Sequence, residues 1–155
     1  MSLNHLKDIN ISRDTFQKEI TQIWTLGDKT GAPIVGAPTV SASISFLAIG
    51  NIVLANIHPF TLTVPATGNY YSIVSTVPVP TEFKTSQINT EHIYLSKTLA
   101  GTVLNGSIYN YGNPTQFNIY EEYVANSNTV APLTPNEIYK NIHYQNFIYL
   151  RTDQV

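Results

Sequence analysis

Apolar and polar residues alternate along most of the chain from about residue 41 onward. Over residues 41–49 the alternation passes through Ile44, Phe46 and Ala48, the two-residue period of a strand with one face in a core. Gly50-Asn51 is a natural turn into a second strand at 52–57. His58-Pro59 breaks that run, and Phe60, Leu62 and Val64 open a third. Residues 65–69 read as a turn, followed by a strand at 70–77 with Tyr71, Ile73, Ser75 and Val77 on one face. Pro78 and Pro80 end that strand, because neither can donate to a ladder. After a polar loop at 81–90, short strands are expected at 91–95, 101–109, 115–123 and 143–151. About eight short strands at this spacing predict a sandwich or barrel.

Two stretches carry a different period. Ser12 can cap a helix and Asp14 falls in its first turn, where the helix dipole favours a carboxylate. Phe16, Ile20, Ile23 and Trp24 then lie at i, i+4, i+7 and i+8, one apolar stripe on a helical cylinder that ends at Gly27. Near the other end Thr134 reads as an N-cap, with Pro135 at the first helical position and Glu137 completing a capping box. That predicts one or two helical turns to about residue 141. Between 29 and 40, Gly31, Pro33, Gly36 and Pro38 punctuate an extended linker. The expected organisation is therefore a helical segment at 1–28, a linker at 29–40 and a β-sandwich at 41–155. A helix of about three turns is marginal alone. Its stripe must dock on another copy of the chain or on the open end of its own sandwich.

Composition narrows the function classes. The chain has 155 residues, of which only 12% are charged, against about 25% in an ordinary soluble domain. Much of the surface must then be polar without charge, or buried against other molecules. The net charge of −2 comes without a basic cluster, which leaves a nucleic-acid partner no electrostatic basis. There is no cysteine, hence no disulfide, thiolate metal site or cysteine nucleophile. The first residues contain no apolar run of the secretory kind, so synthesis in the cytoplasm without a signal peptide is expected. Residues 44–57, the longest apolar stretch, are interrupted by Ser45, Gly50, Asn51 and Asn56. Membrane insertion is not expected.

Catalytic and cofactor signals are sparse. Serines, histidines and aspartates occur without a framing motif. His5, His58, His92 and His143 lack metal-ligand spacing. Glu121 and Glu122 are adjacent in an expected strand and so point to opposite faces. No catalytic residue, metal site or cofactor is expected. What stands out is tyrosine, present ten times and accompanied by amides. Tyrosine beside Asn and Gln suits stacking on sugar rings and hydrogen bonding to hydroxyls, and equally suits a protein interface. The richest cluster is Tyr109, Asn110, Tyr111 and Asn113, which also reads as a hairpin turn with supporting tyrosines. Together with Tyr70 it forms the candidate ligand-binding set. Phe16, Ile20, Ile23 and Trp24 form the candidate oligomer interface.

Three segments carry a family resemblance. Trp24-Thr25-Leu26-Gly27-Asp28-Lys29-Thr30-Gly31 looks like the short lead that opens the distal domains of trimeric viral and bacteriophage fibres. Residues 77–86 look like a loop between two strands of those domains, with Thr85 where a second proline usually stands. Residues 101–108 and 112–120 are similar to the pair of strands, joined by a glycine turn, that closes them. The resemblance covers roughly two thirds of the chain. It implies a jelly-roll-like head of about eight strands, present as a homotrimer on a virion surface and preceded by an anchoring or trimerising segment. Its partner would be a host surface receptor, such as a glycan, met by three weak sites acting together. A minor capsid or cement protein contacting only other capsid proteins is the first alternative. A cellular jelly-roll ligand is another. The last is a small hydrolase, which would need carboxylates or a His/Ser pair converging in a pocket.

Overall fold

Val, Ile, Thr, Tyr and Phe favour pleated, half-buried surfaces, and nearly all regular structure in the computed structural model is strand. The structure describes residues 15–84, 91–97, 101–109, 115–121, 123–124, 129–141 and 144–150. The strands are β1 (Thr15–Gly27), β2 (Thr39–Ile49), β3 (Ile52–Ile57), β4 (Phe60–Thr63), β5 (Ser72–Ser75), β6 (Glu91–Lys97), β7 (Thr102–Tyr109), β8 (Asn118–Tyr120), β9 (Tyr123–Val124), β10 (Thr129–Val130), β11 (Ile138–Asn141) and β12 (Gln145–Leu150). A single 3-10 turn among the described residues spans Thr81–Phe83. Each of the eight expected strands has its counterpart in β2 to β8 and β12. The additional strands are β1, β11 and the short pair β9–β10.

Ten strands form one antiparallel sheet in the order β12-β3-β2-β1-β5-β8-β7-β6-β11-β4. That sheet cannot be flat. Strands β3 and β4 are eight places apart, about 38 Å at the usual strand spacing of about 4.8 Å. Only His58 and Pro59 join them, and three peptide links reach about 11 Å at most. The sheet therefore folds over until its far edge meets the layer it started from. Trp24 on β1 stacks on Phe60 of β4 with ring centroids 5.1 Å apart. The result is a sandwich or half-barrel with one core.

Aromatic rings fill that core. Phe46 of β2 stacks on Phe83 of the 3-10 turn at 4.9 Å, and Phe117 meets Phe147 of β12 edge-on at 5.3 Å. Tyr149 closes the cluster, donating its hydroxyl to the Phe83 carbonyl at 2.6 Å. Burial holds its phenol well above the ordinary range, so it stays a donor. Turn chemistry fixes the register. Ile49 pairs with Ile52, leaving Gly50-Asn51 as a two-residue loop. Within that loop only Gly50 has a positive φ, at 58°, the pattern of a type II′ hairpin turn.

The two expected helices are replaced by strands. Residues 15–27 form β1, paired with β2 along its length and with β5 at its C-terminal end; residues 1–14 lie outside the described residues. Helical spacing was the wrong period here because Gln22 faces the core and Ile23 faces out. Gln22 is fully buried, with both polar atoms of its amide bonded. Its Nε2 donates to Val77 O at 2.8 Å, while Oε1 accepts from the backbone N–H of Ile23, Thr76 and Val77. This amide ties the segment after β5 to β1, so a polar residue belongs inside. The second expected helix, over 134–141, is a turn and strand β11. Glu137 N donates to Thr134 O at 3.3 Å, and Asn136 has φ 64°. Proline at the second position and a left-handed asparagine at the third make a type II turn. Strand β11 then pairs with β4 and β6, which removes any reason to coil.

Candidate functional site

Strands β1, β2, β3 and β12 form a layer whose outer face is laid out in rows by their registers. One row is Glu19, Ser45, Asn56 and Asn146. The next is Gln17, Leu47, Leu54 and Ile148, and the one beyond it is Thr15, Ile49, Ile52 and Leu150. Half of the face is thus polar and half apolar. Ile49, Ile52, Leu54, Ile148 and Leu150 are all exposed, a contiguous group rather than the scattered apolar residues any surface carries.

The polar half is concave. A groove of about 380 Å³ is lined by Gln17, Ser45, Leu47, Leu54, Asn56, His58, Tyr144 and Asn146, with Phe46 beneath. His58 follows β3 and reaches Ser45 Oγ through Nε2 at 2.8 Å. Ser45 donates to Glu19 Oε2 at 3.3 Å. Asn56 Nδ2 donates to Asn146 Oδ1. Tyr144 precedes β12, is 62% exposed, and meets the His58 ring edge-on at 4.9 Å. Ser45 and His58 are the His/Ser pair that a hydrolase would need. The carboxylate of Glu19, however, bonds the serine hydroxyl instead of the histidine ring, whereas a triad places its acid on the histidine.

A second hollow of about 280 Å³ lies between residues 68–70 and 132–135. Gly68 has φ 110°, and a Cβ there would sit 2.8 Å from the Tyr70 ring, so the ring lies directly over the glycine. Tyr70 O accepts from Leu133 N at 2.8 Å. Beneath Thr134 is a fixed polar group. Lys97 pairs with Glu121 and donates to Thr134 Oγ1 at 3.0 Å. Tyr139 donates to Glu121 and accepts from Thr134 N at 2.9 Å. Burial, then the Glu121 carboxylate, push the Tyr139 phenol well above its usual range.

With this geometry in hand, the solved structures give a likeness. The chain is similar to the attachment protein sigma1 of a reovirus, seen in a crystal structure of its complex with alpha-2,3-sialyllactose. The TM-score is 0.52 at 7% sequence identity, over 92% of this chain and 68% of that one. The likeness is one of fold. No protein-family model matches the chain, and no curated protein does.

The structure sorts the residues put forward from sequence. Tyr70 lines the second hollow. Tyr109 ends β7 and its side chain is not described; Asn110, Tyr111 and Asn113 lie outside the described residues. Of the expected interface set, Phe16 and Ile23 are each 41% exposed and Trp24 is fully buried. Phe16, Ile20 and Trp24 share the inner side of β1, where they pair with Ala48, Ile44 and Val40, while Ile23 faces out. They do not form one stripe. Tyrosine exposure is also uneven: Tyr120, Tyr139 and Tyr149 are buried and Tyr144 is exposed. Tyr144, His58 and the Asn56–Asn146 pair escaped sequence reasoning. The one usable signal was alternation in the last strand, which puts Tyr144 and Asn146 opposite Phe147 and Tyr149. Among the described residues, no three His, Asp or Glu side chains converge as a metal site.

Proposed function

We propose that this chain is the head module of a viral attachment protein, a jelly-roll-like trimer on a virion surface that binds a host receptor through a glycan and performs no catalysis. The observation that carries this is the fold likeness to the reovirus attachment protein across 92% of the chain. The scarcity of charge supports it, because a surface that must meet sugar hydroxyls or its own copies gains nothing from fixed charges that water would have to leave. The apolar half of the outer face supports association between copies: Ile49, Ile52, Ile148 and Leu150 are exposed together beyond the groove. Three copies would turn weak individual sites into useful avidity. The chain would be made in the host cytoplasm and assembled without a cofactor.

The experiment is light scattering across a dilution series, followed by a glycan array probed with the purified chain. A stable mass near three chains together with selective glycan binding is the expected result. A persistent monomer that binds no glycan overturns the proposal. The same apolar rows favour one other reading, a capsid or cement protein whose outer face is covered by a different virion protein. Tight binding to purified capsid components, with no array signal, would identify that case.

A further inference from the structure

We propose that the outer-face groove at Tyr144 is a binding site for an uncharged saccharide of a surface glycan; this rests on the attachment reading and assigns its site. The groove carries the groups such a ligand needs. Sugars present an apolar ring face and a rim of hydroxyls, each of which both donates and accepts. Tyr144 offers an aromatic ring to the first: it is 62% exposed and meets the His58 ring edge-on at 4.9 Å. The amide pair meets the second. Because Asn56 Nδ2 donates to Asn146 Oδ1, the bond leaves an acceptor, Asn56 Oδ1, beside a donor, Asn146 Nδ2. Among the described residues neither atom has another protein partner. An acceptor and a donor on neighbouring strands, about 5 Å apart between backbones, match two adjacent hydroxyls of a pyranose.

The rest of the row continues the pattern. Ser45 is held between Glu19 and His58, placing a carboxylate and a hydroxyl at the groove's far side. Across four strands this row extends roughly 14 Å at ordinary strand spacing, enough for a short oligosaccharide. Charge decides the class of sugar. No lysine or arginine is among the residues lining the groove, and the carboxylate of Glu19 stands at its edge. An acidic sugar would find no lysine or arginine and one repelling carboxylate, with the His58 ring already engaged by Ser45. Leu47 and Leu54 floor the groove on the apolar side, giving the ring a second dry surface.

The test is an NMR titration of the intact chain with a panel of neutral oligosaccharides that includes lactose, and with alpha-2,3-sialyllactose as the acidic counterpart. Neutral sugars are expected to shift Tyr144, Asn146 and Asn56 resonances. Tyr144→Ala should weaken that binding at least tenfold, and Asn146→Ala severalfold, while Val35→Ala in the exposed loop leaves it unchanged. Both binding-site variants alter exposed side chains, so they should fold normally. Sugar binding that survives both changes, or is lost on Tyr70→Ala instead, overturns this site and leaves the attachment function standing. Preference for the sialylated sugar overturns the charge argument. An array and titration without any sugar binding overturn the site together with the glycan-binding function.

Discussion

The two faces of the β1-β2-β3-β12 layer are built from the same strands and obey different rules. On the inner face Phe46 stacks on Phe83 and Phe147 on Tyr149, the two pairs meeting at Phe117, and Gln22 is accepted there because four hydrogen bonds satisfy its amide. On the outer face, one residue away along each strand, Leu54, Ile148 and Leu150 are exposed, and Asn56, Asn146 and Tyr144 shape a groove. The inner face is constrained by packing density, where each missing atom is felt. The outer face is free of that constraint, so its pattern reports what the molecule meets outside.

Four substitutions would break or sharpen this contrast. Phe46→Ala should have the largest effect, about 3–5 kcal/mol of stability, measured by chemical denaturation, because the ring contacts both Phe83 and Phe117. Gln22→Ala should cost about 1–3 kcal/mol, because it leaves the half-buried Val77 N–H and C=O without the amide, whereas Thr76 N keeps its bond to Ile23 O. A loss below 1 kcal/mol, on the order of one ordinary net hydrogen bond, would show that water replaces the amide.

Asp28→Asn tests whether exposure alone sets the cost. This carboxylate is on the surface but accepts from Thr30 Oγ1, Thr30 N and Ala32 N, and the Thr30 hydroxyl first, with backbone N–H groups adding, holds its pKa below the ordinary value of 3.8. A depressed folded pKa gives stability that is present above the unfolded value and lost as pH falls through the folded one. The expected loss is about 1 kcal/mol at pH 7, as for a removed cap, shrinking in thermal melts taken below about pH 4. The smallest effect on the folded chain is expected for Ile148→Ser, within about 0.5 kcal/mol. It should instead lower the solution mass seen by light scattering. A large stability loss there would mean the outer face is packed after all.

Much of the architecture was legible from residue order alone. Strands β2, β3 and β12 alternate cleanly, because each has one apolar face in the core, and the Gly50-Asn51 turn declares itself. The misreadings at β1 and β11 share a cause. Phe16, Ile20, Ile23 and Trp24 do fall on a helical stripe, and Thr134-Pro135-Asn136-Glu137 does satisfy a capping box. Those local patterns are degenerate: a buried Gln22 inverts the alternation of β1, and the proline and asparagine serve a type II turn equally well. Pairing with β2 and β5 on one side of the fold, and with β4 and β6 on the other, outweighs local preference.

The sequence by itself determined that the chain is all-β in character, short of charge, rich in tyrosine and free of cysteine chemistry, since these follow from residue types and short-range periods. Only the tertiary structure decided which tyrosines are core and which is presented, because burial depends on what lies across the sandwich. It alone brought Glu19, Ser45, Asn56 and Asn146 into one row. Those residues lie far apart along the chain, and their meeting depends on strand order and register, which no local pattern encodes.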